Sequence, residues 1–136
     1  MTENSPSTAS LPPLSSDMLI AAAGDLESAA RWLDWGTEPG REPGLAAPLV
    51  LDLLDHVVPA LRDLSTFGEH VGSSLRASLT TYDVFEDDET RDPAESIDQA
   101  EPELERARQL LHEAAAALSA AKKALSGQSH NGLREP

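Results

Sequence analysis

The sequence predicts an all-α fold, an elongated antiparallel three-helix bundle in which two long helices form a coiled-coil-like hairpin beside a shorter N-terminal helix. One observation is a heptad of large apolar residues near the C-terminus, at Ile97, Leu104, Leu111, Leu118 and Leu125. Only an α-helix places residues with this spacing on one narrow face. A second is the alanine three positions after each of the first four, at Ala100, Ala107, Ala114 and Ala121. A third is the aromatic content of 4%, which favours a thin aliphatic core.

The first helix is predicted to run from about Asp17 to about Trp35. Ser15 or Ser16 suits its N-cap, because a serine hydroxyl accepts a hydrogen bond from a free N–H of the first turn. Leucine and alanine alternate again in this segment, at Leu19, Ala22, Leu26, Ala29 and Leu33. Gly36 is expected to end the helix, and the next eight residues contain two Pro-Gly pairs, which are typical of a loop.

The second helix is predicted over about 46–82 and is expected to present an apolar face wide enough to contact two neighbours. The main stripe of that face comprises Val50, Leu53, Val57, Ala60, Leu64, Phe67 and Val71. Small residues within 68–74 leave two alternatives. Either they allow close packing against the face that carries the alanines, or they mark a local break.

The third helix is predicted over about 93–126. Asp92 suits its N-cap, and Pro93 suits the first helical position. Lys122 and Lys123 lie in the last turn, where cations interact favourably with the helix dipole. Both ends of this helix are therefore marked by residues that favour them.

Two prolines fall inside the predicted long helices. Each removes one backbone hydrogen bond, so Pro59 is expected to kink the second helix. For Pro102 two alternatives remain, a bend in one helix or a separate short turn over 93–100 before the main helix.

The chain is expected to form one domain with two tails. The bundle should occupy 16–127, between a disordered N-terminal tail over 1–15 and a flexible C-terminal tail over 128–136. The N-terminal tail is rich in serine, threonine and proline, and such segments bury too little apolar surface to offset the entropy of ordering.

Charge and composition restrict the partners and the compartment. The net charge of -14 disfavours binding to nucleic acid or to anionic membranes, which are themselves negatively charged. No apolar run reaches the roughly 18 residues of a membrane-spanning helix. The N-terminus lacks the cationic and apolar regions of a Sec signal peptide. We therefore expect a cytoplasmic protein, or one secreted without a Sec signal peptide.

The sequence contains no recognisable catalytic, cofactor or metal signature. There is no cysteine, and neither His56 nor His112 has a glutamate three positions before it, as a di-iron bundle requires. The acidic segment 83–92 lacks the spacing and the glycine of a calcium-binding loop. We expect a protein that is not an enzyme and that has no cofactor.

Trp32 and Trp35 lie close together at the end of the first helix, away from its leucine–alanine face. Two interpretations are open. The rings could cover the end of the bundle, or they could form an exposed aromatic patch that anchors a partner, since tryptophan is enriched at interface hot spots.

Two short motifs stand at the ends of the first two helices. Trp35-Gly36 stands at the turn after the first helix, and Tyr82-Asp83-Val84-Phe85-Glu86 stands at the end of the second. These motifs resemble the Trp-x-Gly turn and the Tyr-x-x-x-Asp/Glu signal of the helical-hairpin substrates of actinobacterial type VII (ESX) secretion, of the WXG and EspC-like kinds. The resemblance implies that Tyr82 and Glu86 form an export signal and that the helices pair with a partner substrate.

Taken together, these observations predict a non-enzymatic helical module for protein–protein interaction. Its partner would be another helical protein or a second copy of itself. The resemblance implies a type VII secretion substrate or a secretion-associated protein. An alternative function is that of an acidic cytoplasmic adaptor or inhibitor, since a charge of -14 favours a basic partner.

Overall fold

The computed structural model describes residues 15–40, 44–87 and 90–129. These residues form three α-helices, α1 (Ser16–Gly36), α2 (Ala47–Thr81) and α3 (Pro93–Leu125). They contain no strand, so the predicted all-α fold is confirmed. The helix ends lie within one residue of the predicted bounds. Most of each predicted tail, 1–14 and 130–136, lies outside the described residues.

The chain divides into two compact units, with the boundary between Gly44 and Leu45. The first unit contains α1, and the second contains α2 and α3. The expected packing of the N-terminal helix along the hairpin stays a prediction.

Helix α1 is capped at both ends by side-chain hydroxyls. Ser15 accepts a hydrogen bond from the backbone N–H of Met18 at 3.3 Å. Thr37 donates its hydroxyl to the carbonyl of Leu33 at 2.7 Å, while its own N–H donates to the same carbonyl at 3.1 Å. The Ser15 hydroxyl satisfies a backbone N–H that the start of a helix otherwise leaves without a partner, and at the other end the Thr37 hydroxyl gives the Leu33 carbonyl a second donor. Every residue of α1 is exposed.

Helices α2 and α3 pack against each other in antiparallel orientation. Arg76, near the end of α2, pairs with Asp98, near the start of α3. Asp55, near the start of α2, pairs with Lys122, near the end of α3. The predicted hairpin of two long helices is therefore confirmed.

The interface is built from the predicted leucine heptad, but its second row differs from the expectation. Ile97 is buried, and Leu104, Leu111, Leu118 and Leu125 are half-buried. The residues that alternate with them stand four positions after each leucine or isoleucine rather than three. These residues are Glu101, Arg108, Ala115 and Lys122, and all are buried or half-buried.

The alanine row expected in this interface is turned away from α2 over its central part, where Ala107 and Ala114 are exposed. An alanine buries only one methyl group, whereas the row that contains Glu101 and Lys122 supplies ion pairs to α2. Long charged side chains also cover apolar surface with their methylene stems. Facing that row toward α2 therefore makes contacts between the helices that the alanines cannot make.

Small residues of α2 allow a close approach to α3 near the middle of the hairpin. Ser65 is buried, and its hydroxyl donates a hydrogen bond of 3.0 Å to the backbone carbonyl of Arg108. A Cβ atom added at Gly68 would lie 3.8 Å from the Cβ of Arg108 and 3.9 Å from the carbonyl oxygen of Leu104. Helix α2 continues through 68–74, so the alternative of a local break is excluded. Close packing is present at Gly68, against the Leu104–Arg108 turn, whereas Gly72 has open space beside it.

Both internal prolines are accommodated within continuous helices. Helix α2 passes through Pro59 and α3 passes through Pro102 without interruption. A separate short turn over 93–100 is therefore excluded.

We expect Leu111→Asp to lower the free energy of unfolding by about 3 kcal/mol or more, because it removes a leucine from the interface and places a carboxylate there. Urea denaturation followed by circular dichroism at 222 nm measures this change. The matched control is Ala116→Asp, which places the same residue on the exposed side of the same helix. Equal stability of the two variants would contradict the heptad interface.

Candidate protein interaction surfaces

One side of the hairpin is polar, and we call it the ion-pair side. Arg76 contacts Asp98 at 2.5 Å and Glu101 at 2.8 Å, and Arg62 donates a hydrogen bond to the hydroxyl of Ser119 at 3.3 Å. These α2 residues belong to one heptad row, which comprises Asp55, Arg62, Glu69 and Arg76. The row that faces it on α3 comprises Asp98, Glu105, His112 and Ser119.

The guanidinium of Arg76 is the central charge on this side. Hydrogen bonds to Glu101 and then to Asp98 raise its pKa above the ordinary value. All three side chains are substantially exposed, so the net stabilisation is small. The two ion pairs fix the rotation of α3 about its axis, because Asp98 and Glu101 lie one helical turn apart and both contact the guanidinium of Arg76.

The opposite side of the hairpin is apolar, and we call it the apolar face. Each of its residues stands two positions after an ion-pair residue, which is about 200° further round the helix. On α2 the row comprises Val57, Leu64 and Val71, and Val50 extends it by one heptad. On α3 the row comprises Ala100, Ala107, Ala114 and Ala121. Because the ion pairs bring the polar rows together, helical periodicity brings these two rows together on the other side.

The apolar face is only partly covered, since Ala107 and Ala114 are exposed and the other six residues of its two rows are half-buried. Phe67 and Leu110, which border the two rows, are 61% and 54% exposed. Val57, Leu64 and Val71 are half-buried. A contiguous apolar surface of this kind marks an interaction site more often than scattered exposed apolar residues do.

Sequence reasoning found the α2 stripe of this face but assigned the alanines of α3 to the hairpin interface. The signal that could have separated the two roles is the charge pattern four positions after each leucine. Glu101 and Lys122 occupy that row, and both have complementary charges on α2 at Arg76 and Asp55.

The two tryptophans contact each other near the end of α1. Their ring centroids are 5.6 Å apart, and the ring planes are inclined by 48°. Trp32 is 67% exposed and Trp35 is 56% exposed. The rings form an aromatic patch on the surface of the first unit, and their role in binding a partner stays a prediction.

The predicted export-signal residues occupy different environments. Helix α2 ends at Thr81, and Tyr82 follows in an extended conformation with 70% of its surface exposed. Glu86 is half-buried and accepts a hydrogen bond from the hydroxyl of Ser96 in the first turn of α3. The same hydroxyl accepts a hydrogen bond from Arg91 at 3.2 Å. The tyrosine is thus accessible, whereas the glutamate is held against the start of α3.

Glu105 supplies a pH-dependent test of the side-chain geometry on α3. Arg108 contacts its two carboxylate oxygens at 2.6 and 2.8 Å, and these hydrogen bonds lower the pKa of Glu105 below its ordinary value of 4.5. The pair therefore contributes stability above pH 4.5, and this contribution is lost as the pH falls through the lower pKa of the folded state.

We expect the side-chain carbon of Glu105 to titrate below pH 4.5 in a carbon-detected NMR titration. Arg108→Gln should move the midpoint back up, because it removes both hydrogen bonds. Arg106→Gln is the matched control, since Arg106 pairs with Glu103 instead, and it should leave the midpoint unchanged. An unchanged midpoint in Arg108→Gln would contradict the assigned contact.

Within the described residues, no group of three or more histidines and carboxylates is placed to hold a metal ion. No helix there is both long enough and apolar enough to cross a membrane. Comparison of the chain with protein-family models, with curated proteins and with solved structures finds no match.

Proposed function

We propose that this protein is a non-enzymatic helical interaction module, and that it binds a helical partner through the apolar face of the α2–α3 hairpin. The observation that carries the proposal is the pairing of two uncharged rows on one side of an otherwise strongly acidic protein. Rows that flank the interface between two paired helices often carry charged residues, as the ion-pair side does. Here the row from Val57 to Val71 and the row from Ala107 to Ala121 carry none.

The shape of the face fits helices better than it fits a small molecule. From Val50 to Val71 it is about 32 Å long at a rise of about 1.5 Å per residue. A shallow groove between two rods of this length accommodates a further rod, as in the recognition of amphipathic helices by apolar grooves. Alanines along one wall allow the backbone of a partner helix to approach closely.

A photo-reactive phenylalanine analogue at position 107 tests the proposal in the native host. Irradiation should cross-link the protein to a helical partner or to another copy of itself, because Ala107 lies within the apolar face. The same analogue in place of Ala116, on the outer side of α3, should give no such product. Equal cross-linking at the two positions, or cross-linking only within one chain, would refute the proposed function.

Export through type VII secretion is a second candidate function, and the position of Tyr82 favours it. This residue is exposed in an extended segment directly after a helix, so a receptor could reach its ring without unfolding the hairpin. The resemblance of 82–86 to the export signal supports the same proposal.

Tyr82→Ala should abolish export from an actinobacterial host with an active type VII system, as judged by immunoblotting of culture filtrate against cell lysate. Phe85→Ala is the matched control, since it removes a ring that is 81% exposed in the same segment. That variant should be exported normally. Retention of the wild-type protein in the cells of its own host would end this candidate.

The alternative of an acidic adaptor or inhibitor rests on the charge of -14 and predicts a different salt dependence. Binding to a basic partner weakens steeply as ionic strength rises, because salt screens the attraction. Binding through the apolar face does not weaken in this way. A salt titration of any isolated complex therefore separates the two functions.

A further inference from the structure

We infer that the apolar face binds the same face of a second copy of this chain, with α2 of each copy over α3 of the other. The resulting homodimer has a core of four antiparallel helices. This inference rests on the proposed function and names the partner. It follows from the shape of the face, the register of the hairpin and the distribution of charge.

The side chains of the two rows differ in size, and this difference suits a two-fold axis parallel to the helices. The α2 row presents bulky valine and leucine side chains, and the α3 row presents only alanines. A two-fold axis between the faces lays the bulky row of one copy over the alanine row of the other. Such an isologous contact is self-complementary, because each contact occurs twice.

The register of the hairpin places large residues opposite the gaps between alanines. Ser65 bonds to Arg108 and Arg62 bonds to Ser119, so Leu64 lies level with the α3 segment between Ala107 and Ala114. A two-fold rotation about an axis parallel to the helices leaves the position of each residue along that axis unchanged. Leu64 of one copy therefore meets the second copy between two alanines, as a knob packs into a hole.

Charge favours a second copy on this side only. The rows that would meet carry no charged residue, whereas the ion-pair side carries several carboxylates. Two copies with a net charge of -14 each repel one another at long range, and salt reduces that repulsion. The dimer should therefore become tighter as ionic strength rises.

The area is sufficient for a specific dimer. A face about 32 Å long and about 20 Å wide, the width of two helices, covers roughly 650 Å² per copy. Stable protein–protein interfaces bury about 600–1,000 Å² on each partner.

Sedimentation equilibrium of the full-length protein tests the inference. The wild type should be a dimer at micromolar concentrations, and Ala114→Glu should raise the dimer dissociation constant about 100-fold or more, since it places a carboxylate in each half of an apolar interface. Ala116→Glu is the matched control, because the same change two residues later lies on the outer side of α3. It should leave the dissociation constant within a factor of about three.

The pairing of α2 with α3 is tested separately by cross-linking, which is simple because the chain contains no cysteine. A mixture of Val57→Cys protein with Ala114→Cys protein should oxidise to a mixed disulfide between copies. Replacing Ala114→Cys by Ala116→Cys should abolish this product. Dimers that form only Val57–Val57 cross-links between two Val57→Cys copies would overturn the proposed arrangement.

The outcomes separate this inference from the proposed function. A wild-type protein that stays monomeric at hundreds of micromolar, at high salt as well as low, overturns the homodimer. If position 107 then cross-links to a different helical protein in the host, the proposed function stands with another partner. If position 107 cross-links only to α1 of its own chain, both the inference and the proposed function fail.

Discussion

The rotation of α3 about its own axis is the constraint on which the rest of the hairpin depends. The leucine heptad alone allows α3 to turn either flanking row toward α2, because leucine lies at the centre of both arrangements. The ion pairs of Arg76 with Glu101 and of Asp55 with Lys122 select one of them. Each exposed pair contributes little stability. Because the two pairs lie at opposite ends of the interface, they nevertheless favour one rotation of α3 over the other, which apolar packing alone does not.

The dependence of the α3 rotation on distant ion pairs explains why the sequence predicted some features of the fold and not others. Helix number, ends and antiparallel pairing follow from local signals such as the Asp92 cap, whose carboxylate accepts the N–H of Ala94, and Gly127 with its φ of 100°. These signals act within a few residues, so a single sequence reveals them. The rotation of α3 depends on charges that are far apart in the chain, and pairing them requires the register of the hairpin.

The same limit applies to the candidate sites. Trp32, Trp35 and Tyr82 are exposed, and their roles stay predictions. The contact between Glu86 and Ser96 had no sequence signal. It forms because the segment after α2 turns back onto the first turn of α3. A Tyr-x-x-x-Glu pattern specifies spacing along the chain, whereas the environment of each residue depends on where the next helix begins.

The alanines of α3 have a simpler explanation than a role in an interface. Alanine has the highest helix propensity, so an exposed alanine row could serve only to stabilise a long helix. Propensity accounts for alanines on every side of α3, as at 114–117, but it does not account for the bulky uncharged row that lies beside Ala107 and Ala114 on α2. The hairpin leaves Val57, Leu64 and Val71 only half-buried, and the two valines are β-branched residues of lower helix propensity than alanine. Contact with a further surface would complete the burial of this bulky row and of the exposed Ala107 and Ala114 beside it, which helix propensity alone does not require.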